Sequence, residues 1–237
     1  MKSEEFRAQG LESATAKVEK AAANSPFSML HSQLKEDAVI LADGDFPTAD
    51  VPLRILREAR FIVCCDGAAR HADQLPATSE IGFIGDGDSI PDALRPRLHQ
   101  VAEQEDNDLT KATRFCLSRG CRRIAYLGCT GRREDHTLGN IALLMRYRRD
   151  FAIEPMMLTD YGYFTTAEGD ATFDSFAGQQ VSLFNFGCQR LESTGLKWQA
   201  YPYAELWQGT LNEALTTQFT IRADGPYLVY RTYAAHS

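Results

Sequence analysis

Between residues 38 and 150, short apolar runs alternate with stretches whose apolar positions recur every three or four residues. The runs are Ala38 to Ala42, Phe61 to Cys65, Ile81 to Ile84 and Ile124 to Leu127. Unbroken runs of this length fit strands buried on both faces. Helical spacing is found over 51–59, 67–75, 91–98, 107–119 and 135–149. The alternation predicts an open, mostly parallel sheet covered by helices, a Rossmann-like α/β arrangement. Ligands bind such sheets beyond the carboxyl ends of the strands, so the residues that follow each run are where chemistry is expected.

After Phe151 the pattern changes. Met156 to Leu158, Tyr161 to Thr166, Gln180 to Phe186, Leu196 to Tyr201, Phe219 to Arg222 and Tyr227 to Tyr233 are mostly short, rich in aromatic or β-branched residues, and separated by Gly, Asp, Pro or Asn. This is the pattern of an antiparallel β-sandwich or barrel. Upstream, Leu11, Ala14, Val18 and Ala21 fall at helical spacing among Glu and Lys, with Pro26 closing the segment. Three parts are therefore expected: a helical extension over 1–36, an α/β domain over 37–153 and a β-sandwich domain over 154–237.

Composition narrows the function classes. The 237 residues are 44% hydrophobic and 24% charged, with a formal net charge of −7. That balance argues against a general nucleic-acid surface. No run approaches the roughly 20 apolar residues that would span a bilayer. The charged start, Met1 to Glu19, lacks the apolar core of a secretory signal. None of the six cysteines forms a CxxC pair or sits beside histidine at zinc-ligand spacing, and Cys64 and Cys65 lie inside an apolar run. They read as reduced core residues, which suits a cytoplasmic protein.

The candidate chemistry is acidic. Asp43 and Asp45 follow the first run, Asp66 the second, and Asp86 with Asp88 the third, inside Gly85-Asp86-Gly87-Asp88-Ser89. Asp106-Asn107-Asp108 precedes a helix, and Glu134-Asp135-His136 follows a glycine loop. A parallel sheet gathers most of these on one edge, where so many carboxylates repel one another unless cations hold them. Magnesium carrying polyphosphate is the natural partner. Asp106 is expected to cap its helix, and Asp88, Asp108 and Asp135 to belong to the site. Gly128 to His136 joins a strand to a helix whose N-terminus suits an anion, with arginine adding bidentate phosphate recognition. Trp198 and Trp207 are expected to be packing residues more than stacking platforms, with a place in the pocket lining as the alternative for one of them.

Taken together, Cys65-Asp66-Gly67-Ala68, Gly85 to Ser89, Asp106 to Ala112 and the run from Gly128 through Asp135-His136 to Asn140 resemble thiamine pyrophosphokinase, in order and in spacing. Gly195 to Trp198 and Gly209 to Asn212 extend the resemblance into the second half. It implies an ATP-binding α/β domain, a C-terminal β-sandwich and a homodimer with thiamine bound between subunits. It also implies transfer of pyrophosphate from ATP to the thiamine hydroxyl, releasing AMP. By motif position, Asp66, Asp86, Asp88, Asp108 and Asp135 manage magnesium and the phosphates. Gln104, Asn107, Arg133 and His136 belong to the nucleotide site, and Thr210 and Asn212 to the thiamine site. Asp86 or Asp108 is the candidate acceptor of the hydroxyl proton. The chain departs from the family where Gly87 replaces an aromatic residue, Asn107 a threonine, Arg132 a glycine and Leu211 a serine.

Two other readings stand beside this one. Asp43-Gly44-Asp45 after a strand resembles the nucleophile loop of haloacid-dehalogenase-like phosphatases, although Pro47 stands where that loop wants Thr or Val. The departures also fit a non-catalytic nucleotide or thiamine sensor that has kept the fold.

Overall fold

The computed structural model describes residues 36–103 and 105–235, so the N-terminal extension expected from the sequence lies almost wholly outside the described residues. The four apolar runs are strands β1 (Ala38–Leu41), β2 (Phe61–Cys65), β3 (Glu80–Gly85) and β5 (Arg123–Leu127), and β4 (Leu98–Gln100) is a short addition. Every residue of β1 and β2 is buried, which explains the absence of polar alternation in their sequence. Parallel neighbours require crossovers. These are α1 (Asp50–Glu58), a 3-10 helix (Asp66–Gln74), α2 (Asp108–Ser118) and α3 (Glu134–Phe151).

The helix expected over 91–98 does not form. That segment holds only a 3-10 turn, Arg95–Arg97, and then enters β4. Pro91 and Pro96 lack the amide hydrogens of a continuous helix, and each restricts the residue before it to extended backbone or tight turns.

Where the sequence texture changes, the sheet does not stop. β6 (Glu154–Leu158) pairs in parallel with β5 on one side and antiparallel with β7 (Gly162–Glu168) on the other. Three further antiparallel strands extend the same sheet: β9 (Gln179–Asn185), β11 (Asn212–Glu213) and β13 (Pro226–Ala235). Its order is β11-β9-β13-β7-β6-β5-β1-β2-β3-β4, ten strands with parallel and antiparallel halves. A separate antiparallel sheet has the order β10 (Leu191–Thr194), β12 (Gln218–Ala223), β8 (Ala171–Asp174). The strand expected over Leu196 to Tyr201 reduces to one bridge between Leu196 and Ala214.

Two apolar cores result. The first joins Ile40, Val63, Ile84 and Tyr126 of the parallel half to Leu109, Ala112 and Cys116 of α2 and Leu144 and Tyr147 of α3. The second joins Val181, Leu183, Tyr227 and Val229 of the long sheet to Leu191, Phe219 and Ile221 of the short one. Each such side chain, fully buried, contributes about 1.5–3 kcal/mol. All six cysteines are buried free thiols, Cys64 and Cys65 as expected, and burial pushes the Cys64 thiol up to about 12, so it stays neutral. No helix among the described residues is long and apolar enough to cross a membrane.

Candidate functional site

A cavity of about 340 Å³ opens beyond the carboxyl ends of β1, β2 and β5, between the N-termini of α2 and α3. Strand ends contribute Asp43, Gly44, Cys65 and Gly67, and the loop after β5 contributes Gly128 to Thr130 with Arg132 and Arg133. Asn107 and Asp108 come from the start of α2, and His136, Thr137 and Asn140 from α3. Four residues expected from the sequence, Asn107, Asp108, Arg133 and His136, thus share one cavity.

Asp43 and Asp108 are the carboxylates of the cavity lining, and Asp66, Asp86 and Asp88, also expected in the site, lie outside that lining. Asp66 is buried, with 2% exposure, and its Oδ2 accepts hydrogen bonds from the backbone N–H groups of Gly87 and Ser89, both at 3.1 Å. This carboxylate therefore shapes the Gly85 to Ser89 loop. Gly85 allows it to sit there, because a β-carbon at that position would come within 2.5 Å of the Asp66 side chain. Asp66 Oδ1 is buried without a hydrogen-bond partner among the described residues. An uncompensated carboxylate oxygen of this kind is costly unless a cation or proton meets it. Asp86 Oδ1 accepts from the Asp88 N–H at 3.1 Å, and Asp88 is exposed.

Burial raises the pKa of Asp108, Lys111 pulls it back, and the charges of Asp86 and Asp66 push it further up. The charges of Asp66 and Asp86 thus both reach Asp108. Lys111 is itself 4% exposed and its Nζ lies 3.3 Å from Asp108 Oδ1. The spacing Asp108-x-x-Lys111 in the sequence was the available signal for this pair. Among the described residues, no three His, Cys, Asp or Glu side chains meet as a ready metal site. The orphaned Asp66 oxygen and the repulsion felt by Asp108 fit magnesium that completes its shell with phosphate oxygens, as this ion commonly does.

The cap of α2 is Asn107, whose Oδ1 accepts from Thr110 N–H at 3.0 Å and from the Thr110 hydroxyl at 2.9 Å. The expectation that Asp106 caps this helix is therefore corrected. Asp106 instead accepts from Arg114 at 2.8 Å and Arg146 at 2.6 Å, and the Arg146 hydrogen bond holds its carboxyl below the usual range. Asn107 Nδ2 also reaches Asn140 Oδ1 at 3.4 Å, while Asn140 Nδ2 donates to Cys129 O at 2.9 Å. These amides tie the starts of α2 and α3 to the loop after β5.

Asp135 does not line the cavity. It makes a two-pronged pair with Arg133, Nε to Oδ1 at 3.1 Å and Nη2 to Oδ2 at 2.6 Å, and Oδ1 also accepts from His136 N–H. Both side chains are well exposed, and the hydrogen bond from Arg133 lowers the Asp135 pKa.

Thr210 and Asn212 stand apart from this cavity. The Thr210 hydroxyl donates to Trp207 O at 2.7 Å. Asn212 is buried and accepts from Trp198 N–H at 3.1 Å while donating to Trp198 O at 2.8 Å. Trp198 and Trp207 are 54% and 69% exposed, so neither is a buried packing residue, and the alternative of a pocket-lining place for one of them stays open. Gln104 lies outside the described residues.

Family models match two parts of the chain: residues 53–154 as a thiamin pyrophosphokinase catalytic domain, and residues 162–230 as a thiamin pyrophosphokinase substrate-binding domain. Among solved structures, the chain is similar to a thiamine pyrophosphokinase from Bacillus subtilis, at 19% identity over 82% of this chain and 98% of that one, with a TM-score of 0.67. It is also similar to a thiamin pyrophosphokinase from Candida albicans, at 17% identity over 88% and 91%, TM-score 0.68. The yeast thiamin pyrophosphokinase gives 15% identity over 84% and 87%, TM-score 0.67. No curated protein sequence matches the chain.

Proposed function

The chain belongs to the thiamin pyrophosphokinase family and is an ATP:thiamine diphosphotransferase, and we propose that the cavity beyond β1, β2 and β5 is where it holds the nucleotide. The observation that carries this reading is the polarity of the cavity. Asp43 and Asp108 place carboxylates in its lining, the charges of Asp66 and Asp86 reach Asp108, and Arg132, Arg133 and the α3 N-terminus bring cationic groups to the same cavity. Metal-bound polyphosphate has both charges and fits such a lining.

In the reaction the thiamine hydroxyl oxygen bonds to the β-phosphorus, and the bond from that phosphorus to the α–β bridging oxygen breaks, so AMP leaves with that oxygen. Asp66, Asp86 and Asp108 would hold magnesium, which would supply neutralising charge to the phosphate oxygens. Asp88 keeps Asp86 in place through its backbone bond and adds charge at the loop tip. Whichever of Asp86 and Asp108 the cation leaves free accepts the hydroxyl proton. Arg133, oriented by Asp135, faces charge on the transferring group. Asn107 and His136 complete the nucleotide site, with Gln104 assigned to it by motif position.

On the thiamine side, Asn212 holds the Trp198 backbone in place and Thr210 offers a hydroxyl. The finer expectations belong to the same proposal: a Rossmann-like nucleotide domain over 37–153, a sandwich over 154–237, a homodimer with thiamine between subunits, and work in the cytoplasm without nucleic-acid or membrane partners.

The test is to incubate the purified protein with ATP, magnesium and thiamine and to follow AMP and thiamine diphosphate together, with Asp108→Asn and Asp88→Asn alongside. The parent should form both products in equal amounts. Asp108→Asn should lose about 10²-fold or more in kcat, the scale of a general base. Saturable binding of both substrates without AMP formation would point to the sensor reading instead.

A further inference from the structure

The loop after β1 is stitched to the loop after β5 by backbone bonds: Ala42 N–H to Leu127 O at 2.8 Å, Gly44 N–H to Gly128 O at 2.6 Å and Asp45 N–H to Thr130 O at 2.9 Å. Asp43 is thereby fixed opposite Arg132. Its two carboxylate oxygens are divided between two arginines, Oδ1 accepting from Arg70 Nη1 and Oδ2 from Arg132 Nη1 at 3.1 Å. Arg70 is held a second time, donating to Gly67 O at 2.9 Å. Room for the carboxylate exists because residue 67 is glycine. A β-carbon there would lie 2.5 Å from the carboxyl carbon of Asp43.

The two guanidinium groups share one carboxylate between them, the Asp45 carboxylate stands beside Gly131 next to Arg132, and Asp43 and Arg132 both line the cavity. Burial and the charge of Arg132 both lower the pKa of Arg70, so the two cations act on each other. Each guanidinium carries five N–H donors in a planar fork, more than Asp43 can accept. An anion with several oxygens at this rim relieves the repulsion and uses the remaining donors.

We propose that Asp43 is a positioning residue that holds Arg70 and Arg132 as a paired cationic rim, and that Arg132 takes the terminal phosphates of the nucleotide. The inference rests on the nucleotide reading of the cavity and adds to it three residues outside the set named by motif position. Arg132 acts on the phosphates directly; Asp43 and Arg70 act through its placement.

The experiment measures equilibrium binding of ATP and of AMP, each with magnesium and without thiamine, to the parent and to Arg132→Ala, Arg132→Lys and Asp43→Asn, together with steady-state kinetics. Arg132→Ala should weaken ATP binding about tenfold or more, the scale of a lost charge-assisted contact, and leave AMP binding within about twofold. Arg132→Lys should recover part of the loss. Asp43→Asn should raise KM for ATP by about three- to tenfold while KM for thiamine holds. Thermal melts identify any variant that has simply unfolded, and Arg132→Lys at an exposed site keeps the test usable in that event.

ATP binding by Arg132→Ala equal to the parent's overturns the inference, as does an equal loss for ATP and AMP in a folded variant. A parent that neither binds ATP nor forms AMP overturns the functional reading itself.

Discussion

Asp66 was legible in the sequence as a carboxylate at a strand end. Its work as the acceptor for Gly87 and Ser89 became visible only when the chain was folded, because the partners are 21 and 23 residues away. The two roles, loop anchor and cation ligand, can be separated. Asp66→Ala removes two buried bonds to a charged acceptor and should destabilise the protein by about 2–4 kcal/mol, read from denaturant unfolding. Asp66→Asn keeps an acceptor for the loop and should cost under about 2 kcal/mol, yet lose most of the turnover if the charge matters for the cation. Equal activity in Asp66→Asn and parent would reduce this residue to an anchor. The misreading of Asp106 has a similar origin. Asp106 and Asn107 are both good capping residues, and local sequence does not choose between them. Arg114 and Arg146 decide, by drawing the Asp106 carboxylate away from the helix.

Among the elements, α2 and α3 were plain in the sequence because their apolar spacing is sustained and each begins at a recognisable polar cluster. The beginning of α1 depends on distant residues. Its N-cap, Ala49, has no side-chain acceptor. Asp160, in the turn between β6 and β7, accepts instead from Thr48 N–H at 2.9 Å, from the Thr48 hydroxyl and from Ala49 N–H at 3.1 Å. A cap supplied from 111 residues away has no local signal. Asp160→Ala should cost about 1–2 kcal/mol, the range of a lost N-cap, and hydrogen exchange should quicken first in α1. Unchanged exchange in α1 would show that the helix start does not depend on Asp160. The short strands β4, β8 and β10 were not foreseen, since three or four residues carry too little periodicity to stand out.

At the scale of the molecule, Glu103, Asp106, Arg114 and Arg146 tie the approach to α2 onto both α2 and α3, and this network sets a pH dependence. The Asp106 pKa is lowered on folding from 3.8, chiefly by its hydrogen bond from Arg146. A lowered carboxyl pKa stabilises the fold above the unfolded value, and that stability is lost as the pH falls through the folded value. Asp106→Asn should therefore be less stable than the parent by about 1–2 kcal/mol at pH 7, a modest figure because the arginine partners are partly exposed. The gap should narrow once the pH falls below 3.8 and close as it passes the lower folded value; a gap that persists in stronger acid would mean that Asp106 acts by packing and not by charge. Sequence by itself determined that β1, β2, β3 and β5 are parallel strands, because burial on both faces in β1, β2 and most of β5, and in the second half of β3, writes an unbroken apolar run, and that acidic and glycine-rich loops follow them. It also carried the family, since ordered motifs survive where overall identity is low. Tertiary structure decided the rest. β6 pairs in parallel with one neighbour and antiparallel with the other, so one sheet continues through the change in sequence texture. Pairing partners, and the carboxylates each arginine meets, are long-range facts with no local periodicity to announce them.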